Sequence, residues 1–438
     1  MNSSKEQSPD RRTFLKSSSA LAISGALASQ LPFPSVTFGV PNDKKLKLGL
    51  IGCGGRGTGA ATQALKADSN IELVAMADAF PEQIEKSLKN IGAVKGVEDV
   101  KVKVQDSRKF IGLDAYEKVL DSDVDVVILT TPPGFRPAHL AAAVEAGKHV
   151  FTEKPMATDV PGIRLVRKAV EISKQKDLAM VAGFCWRYEY ARRELFKRIH
   201  DGQIGEVRAG YGTYMTGPVK PMPTADKRPD GMSDLEWMVR NWYNFNWLSG
   251  DGLVEQAIHT VDWVGWLMKD KPPTSCTAIG GRQIPSPGGN IFDHIEVNYY
   301  WDNHVRNTVA QRQISGCYND NGFYVLGSDG EAWIKSGRVY ITGKNPWRYA
   351  GPKNPMYQTE HDELFASIRE GNVINDGDRM INSTLMGIMG RTAAYTGKEI
   401  TWEAISNAKL EMAPQNLHNW EDEVEVQPMA MPGRTRFI

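Results

Sequence analysis

The segment Lys47–Gly59, KLGLIGCGGRGTG, decides the fold of the first half of the chain. Leu48, Leu50 and Ile51 predict a short buried strand, and Gly52-Cys53-Gly54-Gly55-Arg56-Gly57 follows it directly. This is the G-x-G-x-x-G pattern of a strand-to-helix turn that binds a dinucleotide. Its glycines permit a tight turn, close approach of a diphosphate and close helix packing, and the free N–H groups of the helix favour an anion. A simple glycine turn is the alternative.

The next predicted strand carries an acidic residue at its end. Ile71–Ala77 is a short apolar run, and Asp78 follows it about 20 residues beyond the last glycine, where dinucleotide-binding folds place a ribose ligand. A carboxylate there accepts hydrogen bonds from both ribose hydroxyls and repels a 2′-phosphate. The position therefore favours NAD over NADP as cofactor. The alternative is an aspartate that caps the helix starting at Pro81.

Two further strand ends carry polar residues. The apolar run 124–129 ends in Thr130-Thr131-Pro132-Pro133, and the run 149–151 ends in Thr152-Glu153-Lys154-Pro155. Because strands alternate with helical segments, we predict a parallel, doubly wound α/β sheet. A lysine at the carboxyl end of such a strand lies in the crevice where these sheets bind ligands, although a surface lysine is the alternative.

Composition excludes several classes of partner. The chain has 438 residues, enough for two or three domains, with 52 basic and 52 acidic side chains. This balance, without a basic face, argues against nucleic acid as a partner. No run of 18 apolar residues is present, so we predict no transmembrane segment.

The N-terminus has the pattern of an export signal. Arg11-Arg12-Thr13-Phe14-Leu15-Lys16 precedes a mildly apolar stretch, Ala20–Leu27, with an A-x-A cleavage pattern. Paired arginines of this kind resemble the twin-arginine signal, which carries folded proteins with their cofactors to the periplasm. We therefore predict a signal and linker over residues 1–43 and a cofactor that stays bound after export. A disordered basic tail is the alternative.

These motifs together resemble the Gfo/Idh/MocA family of sugar and cyclitol oxidoreductases. The resemblance rests on the glycine-rich turn, Asp78, Thr130-Thr131-Pro132-Pro133 and Glu153-Lys154-Pro155. It implies a Rossmann NAD-binding domain over 44–184 and a C-terminal α/β domain over 185–412. The tail over 413–438 is polar and contains prolines, so we predict an extended arm there. It also implies an open-faced, mostly antiparallel sheet that pairs with a second subunit in a homo-oligomer. In the family, the lysine that matches Lys154 contacts the reacting hydroxyl and the nicotinamide ribose.

A predicted helix, Leu253–Met268, carries the rest of the expected site. Glu255 and His259 are four residues apart and Asp262 follows one turn later, so all three share a helix face. A carboxylate bonded to one imidazole nitrogen raises the basicity of the other. The family has an aspartate four residues before its histidine, and this chain has Glu255 there. Glu255 either orients His259 or contacts a substrate hydroxyl. Metal ligation by the three side chains is a lesser alternative, and we predict no metal.

Several other residues are weaker candidates. Arg187 and Tyr188 follow the predicted strand 179–184, where relatives bind substrate or nicotinamide, although an interface salt bridge explains an arginine equally well. Four aromatic residues could stack on the apolar face of a sugar, with core packing or a subunit contact as the alternative: Trp237, Trp242, Tyr243 and Trp247. The predicted cofactor-binding residues are Gly52, Gly54, Gly55, Arg56, Gly57, Asp78, Thr130, Thr131, Pro132, Glu153 and Lys154.

The sequence thus predicts an exported NAD-dependent sugar oxidoreductase. A hydride leaves a carbinol carbon for nicotinamide while His259 accepts the hydroxyl proton and Lys154 stabilises the alkoxide. The two roles are exchangeable, since a buried lysine can act as a base. One alternative is a redox-neutral glycosidase that oxidises the sugar at C3 and eliminates the aglycone. Another is a non-catalytic dinucleotide-binding protein.

Overall fold

The computed structural model describes residues 43–97, 101–412, 414 and 417–437. The predicted export signal, with all but the last residue of its linker, lies outside these residues. Among the described residues, no helix combines the length and the apolar character needed to cross a bilayer.

The first half of the chain forms a six-stranded sheet in which every strand pair is parallel. Its strands are β1 (Leu46–Ile51), β2 (Ile71–Asp78), β3 (Lys109–Ile111), β4 (Val126–Leu129), β5 (His149–Thr152) and β6 (Met180–Ala182). The order β3-β2-β1-β4-β5-β6 is that of a doubly wound Rossmann sheet. The connecting helices are α1 (Gly55–Ala67), α2 (Pro81–Gly92), α3 (Ala115–Leu120), α4 (Arg136–Glu145) and α5 (Val160–Gln175). The predicted parallel α/β sheet is therefore confirmed.

The glycine-rich turn between β1 and α1 depends on two glycines for its shape. Gly52 has φ +94°, a left-handed conformation that other residues adopt at a cost. A Cβ atom on Gly57 would lie 2.0 Å from the carbonyl oxygen of Gly52, so α1 packs directly against the turn. Both features hold the start of α1 at the carboxyl end of β1.

The second half forms a nine-stranded sheet. Its strands are β7 (Val207–Thr216), β8 (Ser275–Gly281), β9 (His294–Tyr300), β10 (Arg306–Gln313), β11 (Phe323–Gly327), β12 (Gly330–Lys335), β13 (Arg338–Gly343), β14 (Trp347–Arg348) and β15 (Ile400–Thr401). All neighbouring strands are antiparallel except β7 and β10. On β9, Ile295, Val297 and Tyr299 are buried while Glu296 and Asn298 are partly exposed. This alternation confirms the predicted antiparallel sheet with one face on the helices.

The remaining helices cover one face of this sheet and return to the first one. They are α6 (Tyr190–His200), α7 (Asp234–Arg240), α8 (Asn246–Ser249), α9 (Gly252–Glu255), α10 (Ile258–Leu267), α11 (Met356–Glu370), α12 (Gly377–Thr396) and α13 (Trp402–Ser406). Helix α11 packs against α1, and α12 packs against both β8 and α5. The C-terminal helices therefore join the two sheets.

The prediction of one continuous helix over Leu253–Met268 was wrong. The chain forms α9 and α10, with a turn at Gln256 and Ala257 between them. The N–H group of Ala257 donates to the carbonyl oxygen of Gly252, five residues back, and this wider turn interrupts the regular helical spacing.

The described part of the C-terminal arm runs along the surface of both halves. The Gln427 carbonyl oxygen accepts a hydrogen bond from the Asn290 side chain, and the Trp420 ring stacks on Phe80 with 5.2 Å between ring centroids. Further along, the Gly433 N–H group donates to the carbonyl oxygen of Thr396. The arm is anchored by these contacts at three separate places.

We expect Gly57→Ala to destabilise the fold by about 2 kcal/mol or more, because the new methyl group overlaps the Gly52 carbonyl oxygen. The matched control is Gly54→Ala, since no described atom lies within 4 Å of a Cβ placed on Gly54. Urea unfolding of both variants measures the difference. Equal stability of the two variants would contradict the packing described above.

Candidate functional site

The glycine-rich turn presents the start of α1 to an open space. No atom of the described residues lies within 4 Å of a Cβ built on Gly54 or Gly55. The first turn of α1 contains Arg56 and lacks a side-chain cap among the described residues, so its free N–H groups and helix dipole favour an anion. The turn fits the diphosphate of a dinucleotide.

Asp78 ends β2 beside this turn. Its carboxylate accepts hydrogen bonds from the Cys53 N–H group at 2.6 Å and from the Phe80 N–H group at 3.0 Å. Burial raises the pKa of Asp78, and these hydrogen bonds counteract part of that effect. The bond to Phe80, which precedes α2, resembles the capping alternative. The ribose role of Asp78 stays a prediction.

A cavity of about 390 Å³ opens at this edge of the sheet. Most of the predicted cofactor residues line it, namely Gly52, Gly54, Gly55, Asp78, Thr130, Thr131 and Pro132. Thr130 also donates a hydrogen bond to the Gly52 carbonyl oxygen at 2.6 Å, which fixes the turn. The opposite wall comes from the second half of the chain and includes Lys220, Arg240 and the predicted substrate residue Trp242. The structure thus brings seven of the eleven cofactor candidates together in one cavity that both halves line. Arg56, Gly57, Glu153 and Lys154 are not among its lining residues.

Lys154, just beyond the end of β5, pairs with Glu255 at the end of α9. The ammonium group donates to the Glu255 carboxylate at 2.8 Å and to its backbone carbonyl oxygen at 2.5 Å. The two side chains are 10% and 8% exposed. Loss of one partner of such a buried pair strongly destabilises the fold, because the other charge is left uncompensated.

His259 lies near Lys154 with its ring packed against aromatic residues. Its centroid is 4.9 Å from that of Trp186 and 6.2 Å from that of Phe184. Nδ1 is buried and has no hydrogen-bond partner among the residues that the structure describes. Burial, and then the positive charges of Lys154 and two arginines, hold the pKa of His259 well below its usual range. The imidazole is therefore neutral at physiological pH, the form in which a ring nitrogen has a free lone pair.

The expected contact between Glu255 and His259 is absent from the described structure. The break between α9 and α10 removes the one-turn stacking that their spacing predicted, and the Glu255 carboxylate pairs with Lys154 instead. Glu255 therefore positions the amine and does not orient the imidazole.

Glu153 and Arg56 form a second ionic link. The Arg56 guanidinium donates to Glu153 at 2.5 Å and to Glu360 of α11 at 3.1 Å, and it lies 4.9 Å from the centre of the Tyr357 ring. Burial raises the pKa of Glu153, but the charges of Arg56 and Lys154 outweigh it and hold that pKa below its usual value. Arg56, predicted to bind cofactor, is thus already committed to two carboxylates.

Three residues predicted to bind substrate lie in the protein interior instead, away from the lining of the cavity. Arg187 makes a bidentate ion pair with Asp262 at 2.9 Å and pairs also with Asp270. Tyr188 donates its hydroxyl to Asp376 at 2.9 Å and is 1% exposed. Since their polar groups are taken and buried, Arg187, Tyr188 and Asp262 support the structure and do not line the cavity.

Sequence reasoning named Tyr243 only as a stacking candidate and missed the other polar residues close to Glu255. Tyr214 donates to Gln256 at 2.6 Å, and Gln313 donates to the Tyr243 hydroxyl at 2.5 Å. Both amide atoms of Gln311 lack a partner among the described residues, although its side chain is 2% exposed. The signal in the sequence is the presence of glutamines at the inward-facing positions of β10. Orphaned buried amides of this kind indicate a polar ligand or bound water.

Family models match both halves of the chain. Residues 46–183 match the model described as "Oxidoreductase family, NAD-binding Rossmann fold", and residues 193–333 match the "GFO/IDH/MocA C-terminal domain".

Individual relatives are more distant. Inositol 2-dehydrogenase of Rhizobium meliloti is 27% identical over 253 residues, which cover 58% of this chain and 64% of that protein. A Glycosyl hydrolase family 109 protein of Shewanella pealeana is 28% identical over 224 residues, 47% of this chain and 46% of that protein. The chain thus spans less than two thirds of the length of these curated relatives.

A solved structure of levoglucosan dehydrogenase, in complex with NADH and levoglucosan, has the same fold. It superposes with a TM-score of 0.65 at 19% identity and covers 82% of this chain and 99% of that one. At this identity the likeness shows the fold alone.

We expect Asp262→Asn to lower the free energy of unfolding by about 3 kcal/mol, because the buried Arg187 loses its main partner. The control is Asp378→Asn, which breaks an exposed pair with Lys174 and costs less than about 1 kcal/mol. Chemical unfolding monitored by tryptophan fluorescence gives both values. A loss no larger than that of the control would return Asp262 to the substrate candidates.

Proposed function

We propose that this chain, which belongs to the Gfo/Idh/MocA family of oxidoreductases, oxidises a sugar or cyclitol with a tightly bound NAD. The observation that carries the proposal is the placement of the Lys154 amine and the neutral His259 imidazole together, beyond the end of β5, whose neighbouring strand β4 ends at the cavity. An amine from one half and an imidazole from the other suit a reaction that moves a hydride and a proton at one carbinol group.

The cavity residues fit the dinucleotide. The N–H groups at the start of α1 would hold its diphosphate, and Gly54 and Gly55 leave room for it. The Asp78 carboxylate would accept hydrogen bonds from the ribose hydroxyls. When bound, NAD accepts a hydride at C4 of its nicotinamide.

The protein's own residues then handle the hydroxyl group. The His259 imidazole accepts the hydroxyl proton as the C–H bond gives up its electron pair and a C=O bond forms. The Lys154 ammonium donates to the same oxygen and stabilises its developing negative charge. Glu255 keeps that ammonium in place by its carboxylate and its backbone carbonyl.

The polar residues near Glu255 suit a polyhydroxylated substrate. Tyr214, Tyr243, Gln311 and Gln313 present hydroxyl and amide groups that both donate and accept hydrogen bonds. The unpartnered amide of Gln311 would be satisfied by a sugar hydroxyl. A site built from such groups rejects analogues that lack the matching hydroxyl.

A second candidate is a redox-neutral glycosidase that uses the same bound NAD. The similarity to a Glycosyl hydrolase family 109 protein favours this scheme. Transient oxidation of a sugar carbon acidifies the neighbouring C–H group, so that the aglycone leaves, water adds and the ketone is reduced again. The same residues would serve both reactions, and the product separates them.

We expect Lys154→Met to lower turnover about 100-fold or more, because the developing alkoxide loses its charged donor. Purified protein is incubated with a panel of glycosides and cyclitols, with nicotinamide absorbance and sugar products measured together. An accumulating keto-sugar supports the dehydrogenase, whereas a free sugar without net redox change supports the glycosidase.

The control for this experiment is Lys174→Met, at an exposed lysine paired with Asp378. NAD content and melting temperature of each variant show whether the fold and the cofactor are retained. Full turnover by a folded Lys154→Met protein would remove the catalytic assignment.

The outer face of the nine-stranded sheet supports the proposed homo-oligomer. Tyr211, Tyr324, Trp333 and Tyr340 form one cross-strand row, and Ile279 on β8 is 71% exposed. Exposed aromatic and apolar side chains of this kind are typical of protein interfaces.

We expect light scattering to give a multiple of the 48.6 kDa chain mass. The double substitution Tyr211→Arg and Ile279→Arg should yield monomer, because it places charges in the apolar interface. Ile111→Arg, at an exposed position on β3, is the control. A wild-type chain that is monomeric at micromolar concentration would overturn the homo-oligomer.

A further inference from the structure

The wall of the cofactor cavity that comes from the second half of the chain contains a lysine. Lys220 lines the cavity opposite the glycine-rich turn, together with Val239, Arg240 and Trp242. Its amine donates to the backbone carbonyl of Arg240 at 2.6 Å and lies 6.0 Å from the centre of the Trp242 ring. These contacts hold the amine at the wall of the cavity.

Lys220 has no anionic partner in the described part of the chain. No carboxylate oxygen there comes within 4.0 Å of its Nζ atom, although the side chain is largely removed from water. This burial lowers the pKa of Lys220, because removal from water disfavours the charged form. A cation in this situation is stabilised when a negative charge enters the cavity.

The bound cofactor would bring such a charge. NAD carries its negative charge on the diphosphate, which the glycine-rich turn would hold. The dipole at the start of α1 supplies a charge of only about +0.5. Arg56, the basic side chain of that turn, is already bound to Glu153 and Glu360. The turn therefore supplies no unpaired cationic side chain to the diphosphate.

We propose that Lys220 is a cofactor-binding residue whose ammonium pairs with the diphosphate of NAD and thereby links the second half of the chain to the cofactor. This inference rests on the proposed NAD-dependent function. It identifies a charged contact outside the Rossmann half, which the glycine-rich motif does not contain.

The wall that carries Lys220 is fixed to the first half of the chain. Arg240 pairs with Glu82 of α2 at 2.8 Å and lies 3.8 Å from the centre of the Phe80 ring. Phe80 in turn stacks on Trp420 of the C-terminal arm. These contacts keep the wall in place beside the cavity, which favours slow dissociation of a ligand that contacts both halves.

The test compares Lys220→Met, Lys220→Arg and Lys227→Met with the wild type. Lys227 belongs to the same segment, but its side chain is 71% exposed and pairs with the adjacent Asp226. The readouts are the NAD released on denaturation of the purified protein, the rate of NADH dissociation by fluorescence, and the melting temperature.

We expect Lys220→Met to bind NADH at least about tenfold more weakly, because a hydrogen bond to a charged group is lost. Its affinity should also depend less on salt than that of the wild type, since one charge pair is missing. Lys220→Arg should keep most of the affinity, and Lys227→Met should match the wild type.

The inference is overturned if Lys220→Met and Lys227→Met release NADH at the same rate. It stands if Lys220→Met alone releases NADH faster, even when no sugar is oxidised by any variant, and in that case the proposed reaction fails by itself. A wild type that neither carries nor takes up NAD overturns both proposals.

Discussion

The buried ion pair between Lys154 and Glu255 links the two halves of the molecule at the point where the proposed chemistry occurs. Lys154 follows strand β5 of the parallel sheet, and Glu255 ends α9 of the second half. Bringing both charges out of water is costly unless their hydrogen bonds are well formed, and here the amine has two acceptors on one residue. The pair therefore links the end of β5 in the first half to the end of α9 in the second half. It also sets the amine beside the neutral His259.

A second ionic link makes the glycine-rich turn part of the same unit. Arg56 connects the turn to Glu153, the neighbour of Lys154, and to Glu360 on α11. A change in the turn would therefore alter the contacts of Glu153, next to Lys154, and of α11. Because Arg56 is paired in this way, its guanidinium is not free to bind a phosphate. The structure compensates through a lysine from the opposite wall of the cavity.

The two halves of the chain both line the cofactor cavity, and this arrangement favours a cofactor that stays bound. The Rossmann half supplies one wall, and the segment around Lys220 and Arg240 supplies the other. The C-terminal arm then packs Trp420 against Phe80 behind that wall. Because these contacts hold the two walls together, a ligand that contacts both walls is expected to dissociate slowly. A reaction that restores the oxidation state of its cofactor in place would benefit from this arrangement.

The sequence alone determined the parallel sheet, the glycine-rich turn, Asp78 at the end of β2 and Lys154 after β5, because local periodicity and glycine spacing encode them. Tertiary packing decided which charges meet. Glu255 pairs with Lys154, 101 residues away, since the turn after α9 breaks the helical spacing toward His259, and Arg187 meets Asp262 in the interior. Lys220 reaches the cofactor cavity for the same reason. Pairing between distant segments depends on how whole elements pack, and no local pattern in the chain records it.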